Sequence, residues 1–386
     1  MNIVEPILYQ SRYHPPAAAI CAPGAEPGLV SYARLEQFVH NISRKAAAAG
    51  LSRGQVVAIF VRNRILHAAM LLGLARLGII TLSVRDSKLP EESSIDAVIT
   101  DSDASVPQLA AARIVRADLS WTAGDGRPTP IDPVLDHDGS DDICRLVLTS
   151  GPAAGAKLVA LTHRMIFDRI ARHHSVFGNR LPLCSRTYLD LGFDSSLGFQ
   201  FLLYMLWRGG MVLVGADRPE AALQACDRYE VGNVVGSADG LVRLLPVHEK
   251  LGRQSNLKMM LSAGKLSRSL SDRLRSRMCS NLVCAYGCTE TGLVAAAPAH
   301  AIADRPNAVG YIAPGVTVEI VDRSGLAVTT GAEGLIRVRS PWVVTGYFGQ
   351  GAGSGEAFRD GWFYPGDTGL LTPENLLVVS GKRGPT

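Results

Sequence analysis

The feature that most constrains this chain is a regular alternation of short apolar runs with longer helix-like segments, sustained from residue 31 to about residue 285. The runs at 56–61, 79–84, 97–100, 113–115 and 145–149 are short and rich in Val, Ile and Leu, as strands buried on both faces are. Helical signals stand among them. One runs over 31–49, with Ser31 able to cap its start and Gly50 at the position that tolerates a left-handed backbone. Another covers 66–77 and is stopped by Gly78. The rhythm resumes after residue 185, with strands at 187–191, 211–214, 233–235, 258–261 and 282–285 and helices at 197–208, 219–229 and 267–278. Such alternation predicts parallel sheets covered by helices. After about residue 305 the helical period disappears. Short β-rich runs at 316–321, 335–339 and 376–380 are set off by Gly, Pro and Asp turns, which predicts an antiparallel sheet or a small barrel. Residues 121–142 are polar and rich in Gly, Pro and Asp, and read as a linker.

Composition narrows the class. At roughly 150 residues per domain, the 386 residues suggest two or three folding units, and 47% hydrophobic residues supply a large core. The net charge of +4 is small and the basic residues are scattered, which argues against a nucleic-acid or membrane-surface partner. None of the 7 cysteines stands in a CxxC pair, and Cys284 and Cys288 lack the companions of a zinc site. An odd, dispersed set reads as reduced thiols. The first residues show no basic stretch followed by an apolar one, so no signal peptide is expected. The most apolar stretch, 68–84, contains Arg76 and falls short of a membrane span. A soluble, cytoplasmic protein is the expectation.

Three segments can carry chemistry. In Leu148-Thr149-Ser150-Gly151-Pro152-Ala153-Ala154-Gly155-Ala156-Lys157, hydroxyls, glycines and one lysine follow an apolar strand. Backbone N–H groups and a mobile ammonium make that a phosphate cradle, although an ordinary small-residue turn would read the same way. The glycine spacing is not that of a Walker A loop, which disfavours a phosphotransferase of that kind. In Tyr286-Gly287-Cys288-Thr289-Glu290 an aromatic ring, a hydroxyl and a carboxylate can stack on a base, touch a phosphate and hold Mg²⁺, or form a plain loop with one acid. In the segment from Asp360-Gly361-Trp362 to Gly366-Asp367, an aspartate can accept from sugar hydroxyls or serve turn geometry.

Taken together and in this order, the segments resemble the adenylate-forming superfamily of acyl-CoA synthetases, nonribosomal peptide synthetase adenylation domains and luciferases, over nearly the whole chain. Thr149–Lys157 is similar to that family's phosphate loop and Thr162-His163 to the dipeptide after it. Phe193-Asp194-Ser195-Ser196 is similar to the Phe-Asp-x-Ser of the amino-acid-activating branch. Ser262-Ala263-Gly264-Lys265-Leu266 resembles the adenine-side turn, and Tyr286–Glu290 matches Tyr-Gly-x-Thr-Glu. The stretch from Gly331 to Tyr347 resembles a β-subdomain motif, the one ending at Asp367 resembles Gly-Trp-Phe-x-Thr-Gly-Asp, and Gly381-Lys382 stands where the family has a Gly-Arg hinge.

The resemblance implies an α/β fold with two αβα subdomains of mostly parallel sheets in 1–305 and a small antiparallel, barrel-like subdomain in 306–380. Residues 381–386 would then be a hinge stub with the C-terminal domain absent. It also implies roles. Tyr286 would stack on adenine, with Ala263 and Gly264 lining the slot. Thr289 would bind the α-phosphate and Glu290 the Mg²⁺. Asp367, helped by Lys382, would take the ribose hydroxyls, and Thr149, Ser150, Gly151, Gly155 and Lys157 the outer phosphates. Thr289, Glu290 and Lys157 are the implied catalytic residues. The acid pocket would be lined by His163, Phe193, Asp194, Ser195, Gly198, Leu261, Ala263, Ala285, Leu293 and Val294. There Asp194 pairs with a substrate ammonium or caps the next helix, and His163 is either a pocket lid or structural. The implied activity is ATP-dependent conversion of a carboxylic acid, amino acids among the candidates, to an acyl-adenylate. The acyl group would then pass to CoA or to the phosphopantetheine arm of a carrier protein.

The match has breaks. Pro152-Ala153-Ala154 replaces hydroxyls and a glycine in the phosphate loop, Pro365 replaces a threonine, and the family's C-terminal lysine has no counterpart here. Each hydrogen bond lost to a charged phosphate is worth roughly 1.5–3 kcal/mol. A catalytically attenuated nucleotide- or acyl-binding module of the same fold is therefore the rival expectation.

Overall fold

The computed structural model describes residues 1–85, 94–102, 113–124, 139–150, 156–215, 218–251, 256–264, 266–350 and 357–382. In chain order these form α1 (Glu5–Tyr13), β1 (Ala18–Cys21), β2 (Leu29–Ser31), α2 (Tyr32–Ala48), β3 (Val56–Phe60), α3 (Arg64–Arg76), β4 (Ile80–Ser83), β5 (Ala97–Thr100) and β6 (Arg113–Arg116). Next come β7 (Ile143–Ser150), β8 (Ala156–Thr162), α4 (His163–Phe177), β9 (Arg186–Leu189), α5 (Ser196–Trp207), β10 (Met211–Leu213), α6 (Pro219–Arg228), β11 (Asn233–Ser237) and α7 (Ala238–Leu251). Then follow β12 (Met259–Ala263), α8 (Arg268–Arg277), β13 (Leu282–Cys288), β14 (Gly292–Pro298), β15 (Ala308–Ile312), β16 (Thr317–Val321) and β17 (Gly334–Arg339). The last are β18 (Phe358–Arg359), β19 (Trp362–Phe363), β20 (Asp367–Leu371) and β21 (Leu376–Lys382). The fold is α/β, as the alternation predicts. Most of the expected linker, 125–138, lies outside the described residues.

The chain forms two compact units, Met1–Ile170 with Gly192–Ala216, and Ala171–Leu191 with Asp217–Thr386. In the first unit the sheet order is β6-β5-β3-β4-β7-β8. Strands β6 to β7 are parallel, and β8 returns antiparallel from β7 as a hairpin. Helix α3 is buried on nearly every face, which is what an apolar sequence such as its ILHAAMLLGLA requires. Ser31 caps α2 by accepting from the Arg34 N–H, and Gly50 takes a φ of 73° just beyond that helix.

In the second unit β9, β11, β12 and β13 run parallel in the order β9-β11-β12-β13. From β13 onward the pairing turns antiparallel, through β14, β15, β21, β20 and β17. The β-rich segment thus continues the sheet begun by the parallel strands, and among the described residues it forms no closed barrel. Its core packs Val294, Ala295, Val309, Val318, Ile320, Ile336, Val338 and Leu377 together.

Candidate active site

Ligands of parallel α/β sheets bind beyond the carboxyl ends of the strands, and in the second unit the expected adenosine residues gather there. Ala263 ends β12 in register with Ala285 of β13, and the Gly264 N–H donates to the Ala285 carbonyl at 3.2 Å. Gly264 has a φ of 96°, and a side chain there would meet nothing within 4 Å, so the strand end opens onto free space. One residue on, the Tyr286 hydroxyl donates to Asp367 Oδ2 at 2.6 Å, across 81 positions of sequence. Burial and the Asp367 carboxylate push the Tyr286 hydroxyl well above the ordinary tyrosine range, so it remains a donor. Asp367 opens β20 directly opposite Lys382 on β21, so the two expected ribose residues are cross-strand neighbours. The Asp-Gly turn chemistry falls elsewhere: Asp360 and Gly361, both at positive φ, close the β18–β19 hairpin.

Strand β13 turns into β14 through the tight loop that carries Thr289 and Glu290. Gly287 allows it, because a Cβ there would lie 2.0 Å from the Gly292 carbonyl oxygen. The Thr291 hydroxyl accepts from the Cys288 N–H at 3.2 Å and donates to the Gly292 carbonyl, locking the turn. A register shift between Tyr286 and Gly287 leaves Val294 as the extra residue of a bulge, a feature common beside active sites. Glu290 is buried, and its Oε1 accepts from the Tyr347 hydroxyl at 3.1 Å while the Val344 N–H holds its carbonyl at 3.1 Å. The glutamate pushes the Tyr347 hydroxyl upward, second to burial itself. A single oriented carboxylate suits Mg²⁺, which keeps most of its ligands as waters and substrate phosphates. Glu290 thus fits that ion without a dedicated cage, and no cluster of three His, Cys, Asp or Glu exists among the described residues.

In the first unit the phosphate segment is the β7–β8 hairpin. Its stem places Thr149 opposite Lys157, whereas Gly151, Gly155 and the Pro152-Ala153-Ala154 run lie outside the described residues. Phe193 is buried, and its ring meets that of His67 edge-on at 5.5 Å. Asp194 Oδ1 lies 3.7 Å from Arg85 Nε.

Several expected pocket residues have structural work of their own. The cap of α5 is Ser195, not Asp194: its hydroxyl accepts from the Gly198 N–H at 3.0 Å and donates to the Gly192 carbonyl at 2.8 Å. Gly198 is glycine because a Cβ would sit 2.1 Å from that same carbonyl oxygen. His163 is fully buried, and its Nδ1 accepts from the Ile3 N–H at 3.2 Å, so it anchors the N-terminal segment. Val294 belongs to the β-sheet core, while Leu261 and Leu293 are buried strand residues. Sequence reasoning missed Tyr347 as the partner of Glu290, although its Gly-Tyr motif was visible. It also missed Arg145, a buried cation inside an apolar strand.

This arrangement is that of an adenylate-forming enzyme. The AMP-binding enzyme family model matches residues 9–348, and the chain belongs to that family. It is 28% identical to a feruloyl-CoA synthase of an Amycolatopsis species over 402 aligned positions, covering 96% of this chain and 76% of that protein. Among solved structures it is similar to VinN, with a TM-score of 0.83, 21% identity and 99% of each chain covered. It is also similar to the o-succinylbenzoate CoA synthetase of Bacillus subtilis in complex with ATP and magnesium ion, with a TM-score of 0.84, 20% identity, and 98% of this chain and 79% of that one covered. No helix of the described residues is long and apolar enough to cross a membrane.

Proposed function

We propose that this protein activates a small carboxylic acid with ATP, forming an acyl-adenylate for transfer to a thiol. A carboxylate oxygen of the acid would bond to the α-phosphorus as the bond to pyrophosphate breaks. A thiol sulfur would then bond to the acyl carbon as AMP leaves. The proposed thiol is that of CoA, the acceptor named for the feruloyl relative, with a carrier's phosphopantetheine arm as the second choice.

The single observation that supports this best is the Tyr286–Asp367 hydrogen bond, which joins the ring proposed to stack on adenine to the carboxylate proposed to bind ribose. Tyr286, Ala263 and Gly264 would hold adenine, Asp367 and Lys382 the ribose, and Thr289 the α-phosphate. Thr149, Ser150 and Lys157, with Gly151 and Gly155 of the same loop, would hold the outer phosphates. Bound Mg²⁺ would neutralise phosphate charge as pyrophosphate departs, with Glu290 as its protein ligand. Within this chain, catalysis would be positioning and charge stabilisation rather than covalent attack by a side chain.

ATP–pyrophosphate exchange across a panel of aryl, fatty and amino acids tests the reading. Label entering ATP in the presence of one acid class supports it. AMP binding without exchange for any acid, also after fusion of a family C-terminal domain, would replace it with the rival non-catalytic binding module.

A further inference from the structure

Strand β7 carries a buried charge, Arg145, in register with Thr81 of β4 and Leu161 of β8. Arg145 has 0% of its surface exposed. Its Nη2 donates to the Ser83 hydroxyl at 2.8 Å and to the Phe193 carbonyl at 2.5 Å, and its Nη1 donates to the Thr81 hydroxyl at 3.3 Å. The guanidinium lies 4.9 Å from the Phe199 ring centroid, and its Nε has no partner. Ser83 is shared with His67, whose Nε2 lies 2.7 Å from the same hydroxyl. His67 Nδ1 is also buried without a partner. One fully buried guanidinium therefore ties β4 and β7 to the turn that presents Phe193 and Asp194.

Charge in this cluster is unbalanced. Burial lowers Arg145 to about 10, still protonated at neutral pH, and Asp194 is the first group that pulls it back up. Burial, followed by the charges of Arg145, Arg64 and Arg85, holds His67 neutral. Arg85 faces Asp194 directly. Around the turn, two guanidinium groups thus accompany one carboxylate, and a buried charge without a close ion pair is costly to desolvate unless its hydrogen bonds are satisfied. The resemblance assigns Asp194 to a substrate ammonium. Here that ammonium would meet the Arg85 guanidinium already 3.7 Å from the carboxylate, with Arg145 held on the Phe193 carbonyl of the same turn, a like-charge arrangement that binding sites use to reject a ligand.

We propose that Arg145 is a positioning residue for the Phe193–Asp194 turn and that Arg85 supplies the counter-charge of Asp194, so that the acid activated carries no ammonium group. The inference rests on the acid-activating reading above and narrows it to neutral-tailed acids such as aryl, arylalkyl or alkyl carboxylates.

The test uses matched pairs that differ only in the ammonium: 3-phenylpropanoate with phenylalanine, and 4-methylpentanoate with leucine. Each acid is assayed by ATP–pyrophosphate exchange. The corresponding acyl-sulfamoyl adenosines are titrated calorimetrically against the full chain, after AMP itself. The expected result is a preference of at least about tenfold for the member without nitrogen. Arg85→Gln, at a half-exposed position that does not threaten folding, should shrink that preference at least about fivefold. Arg145→Met should raise KM for the acid while leaving KM for ATP unchanged, and Arg145→Lys should recover part of the loss. A merely structural arginine would move both KM values and leave the preference alone. Equal or tighter binding of the amino member to the unaltered chain overturns the inference, as does a preference that Arg85→Gln leaves unmoved. If AMP binds but the pairs do not separate, only this inference fails. If neither AMP nor any analogue binds, the nucleotide reading fails with it.

Discussion

Two β-hairpins carry the residues proposed to hold metal and phosphates, and they treat charge in opposite ways. In the β13–β14 hairpin the charged group is inside: Glu290 is buried, its carboxylate accepts from Tyr347, and the Val344 N–H holds its backbone. In the β7–β8 hairpin the charged group, Lys157, stands half-exposed on the stem opposite Thr149. A metal-binding anion must be oriented before the ion arrives, since reorganising it during reaction would forfeit the electrostatic gain. An ammonium that follows outer phosphates works as a movable point charge. In sequence the first hairpin matches the resembled motif without a mismatch, whereas the second carries Pro152-Ala153-Ala154 where that motif has hydroxyls and a glycine.

The largest expected effect probes the fixed hairpin. Glu290→Gln keeps size and the contact with Tyr347 but removes the charge. Exchange activity should fall about 10²- to 10³-fold, while AMP affinity, which needs no metal, stays within about threefold. A fall in AMP binding as large as the fall in exchange would break the contrast drawn here. The next effect probes the β7–β8 hairpin. Restoring hydroxyls with Pro152→Thr and Ala153→Thr should raise exchange by about 10- to 100-fold, the value of one or two charge-assisted hydrogen bonds. An unchanged rate would mean that Thr149, Ser150 and Lys157 already suffice.

How legible these regions were differs for physical reasons. The parallel strands, the Ser31 cap and the Tyr286–Glu290 motif were readable because local pattern and tertiary role coincide there. Helix α7 was not, since Pro246 interrupts it; burial of Leu241, Leu244 and Leu245 overrides that local preference. His173, in a polar His-His pair, is fully buried and stacks on Phe177 at 6.0 Å, a placement that nothing local in its sequence signals. Arg145 was invisible as a site because its partners lie 48 to 64 positions away. The assignment of Ser195 and Gly198 to the acid pocket missed that both are required by the start of α5. Nonlocal polar contacts leave no period in a sequence.

A smaller effect separates the two contacts of the adenosine side. Asp367→Ala should weaken AMP binding about tenfold, the value of a charge-assisted hydrogen bond. Tyr286→Phe keeps the ring for stacking and should cost no more than about threefold. Isothermal titration decides. An equal loss for both would mean that Asp367 acts by holding Tyr286 rather than by accepting from ribose.

The last effect concerns the desolvation of β13 itself. Burial alone pushes the Cys284 thiol from its ordinary value of 9.0 up to about 11. In the unfolded chain the thiol ionises earlier, so between these values the unfolded state binds fewer protons. Stability from this group is fully present below pH 9 and declines as pH rises toward 11, by at most about 1.4 kcal/mol per pH unit. Denaturant midpoints of the unaltered chain should fall over that window, and Cys284→Ala should flatten the slope after its own cavity loss is subtracted. On β7 the buried Cys144 thiol is likewise pushed up, chiefly by burial, but the adjacent Arg145 charge works against the shift. Cys144→Ala should therefore report the alkaline response of a strand that carries a buried cation. If neither variant changes the slope, the strands are wetter than their packing implies, and the preorganisation argued for Glu290 loses its physical basis.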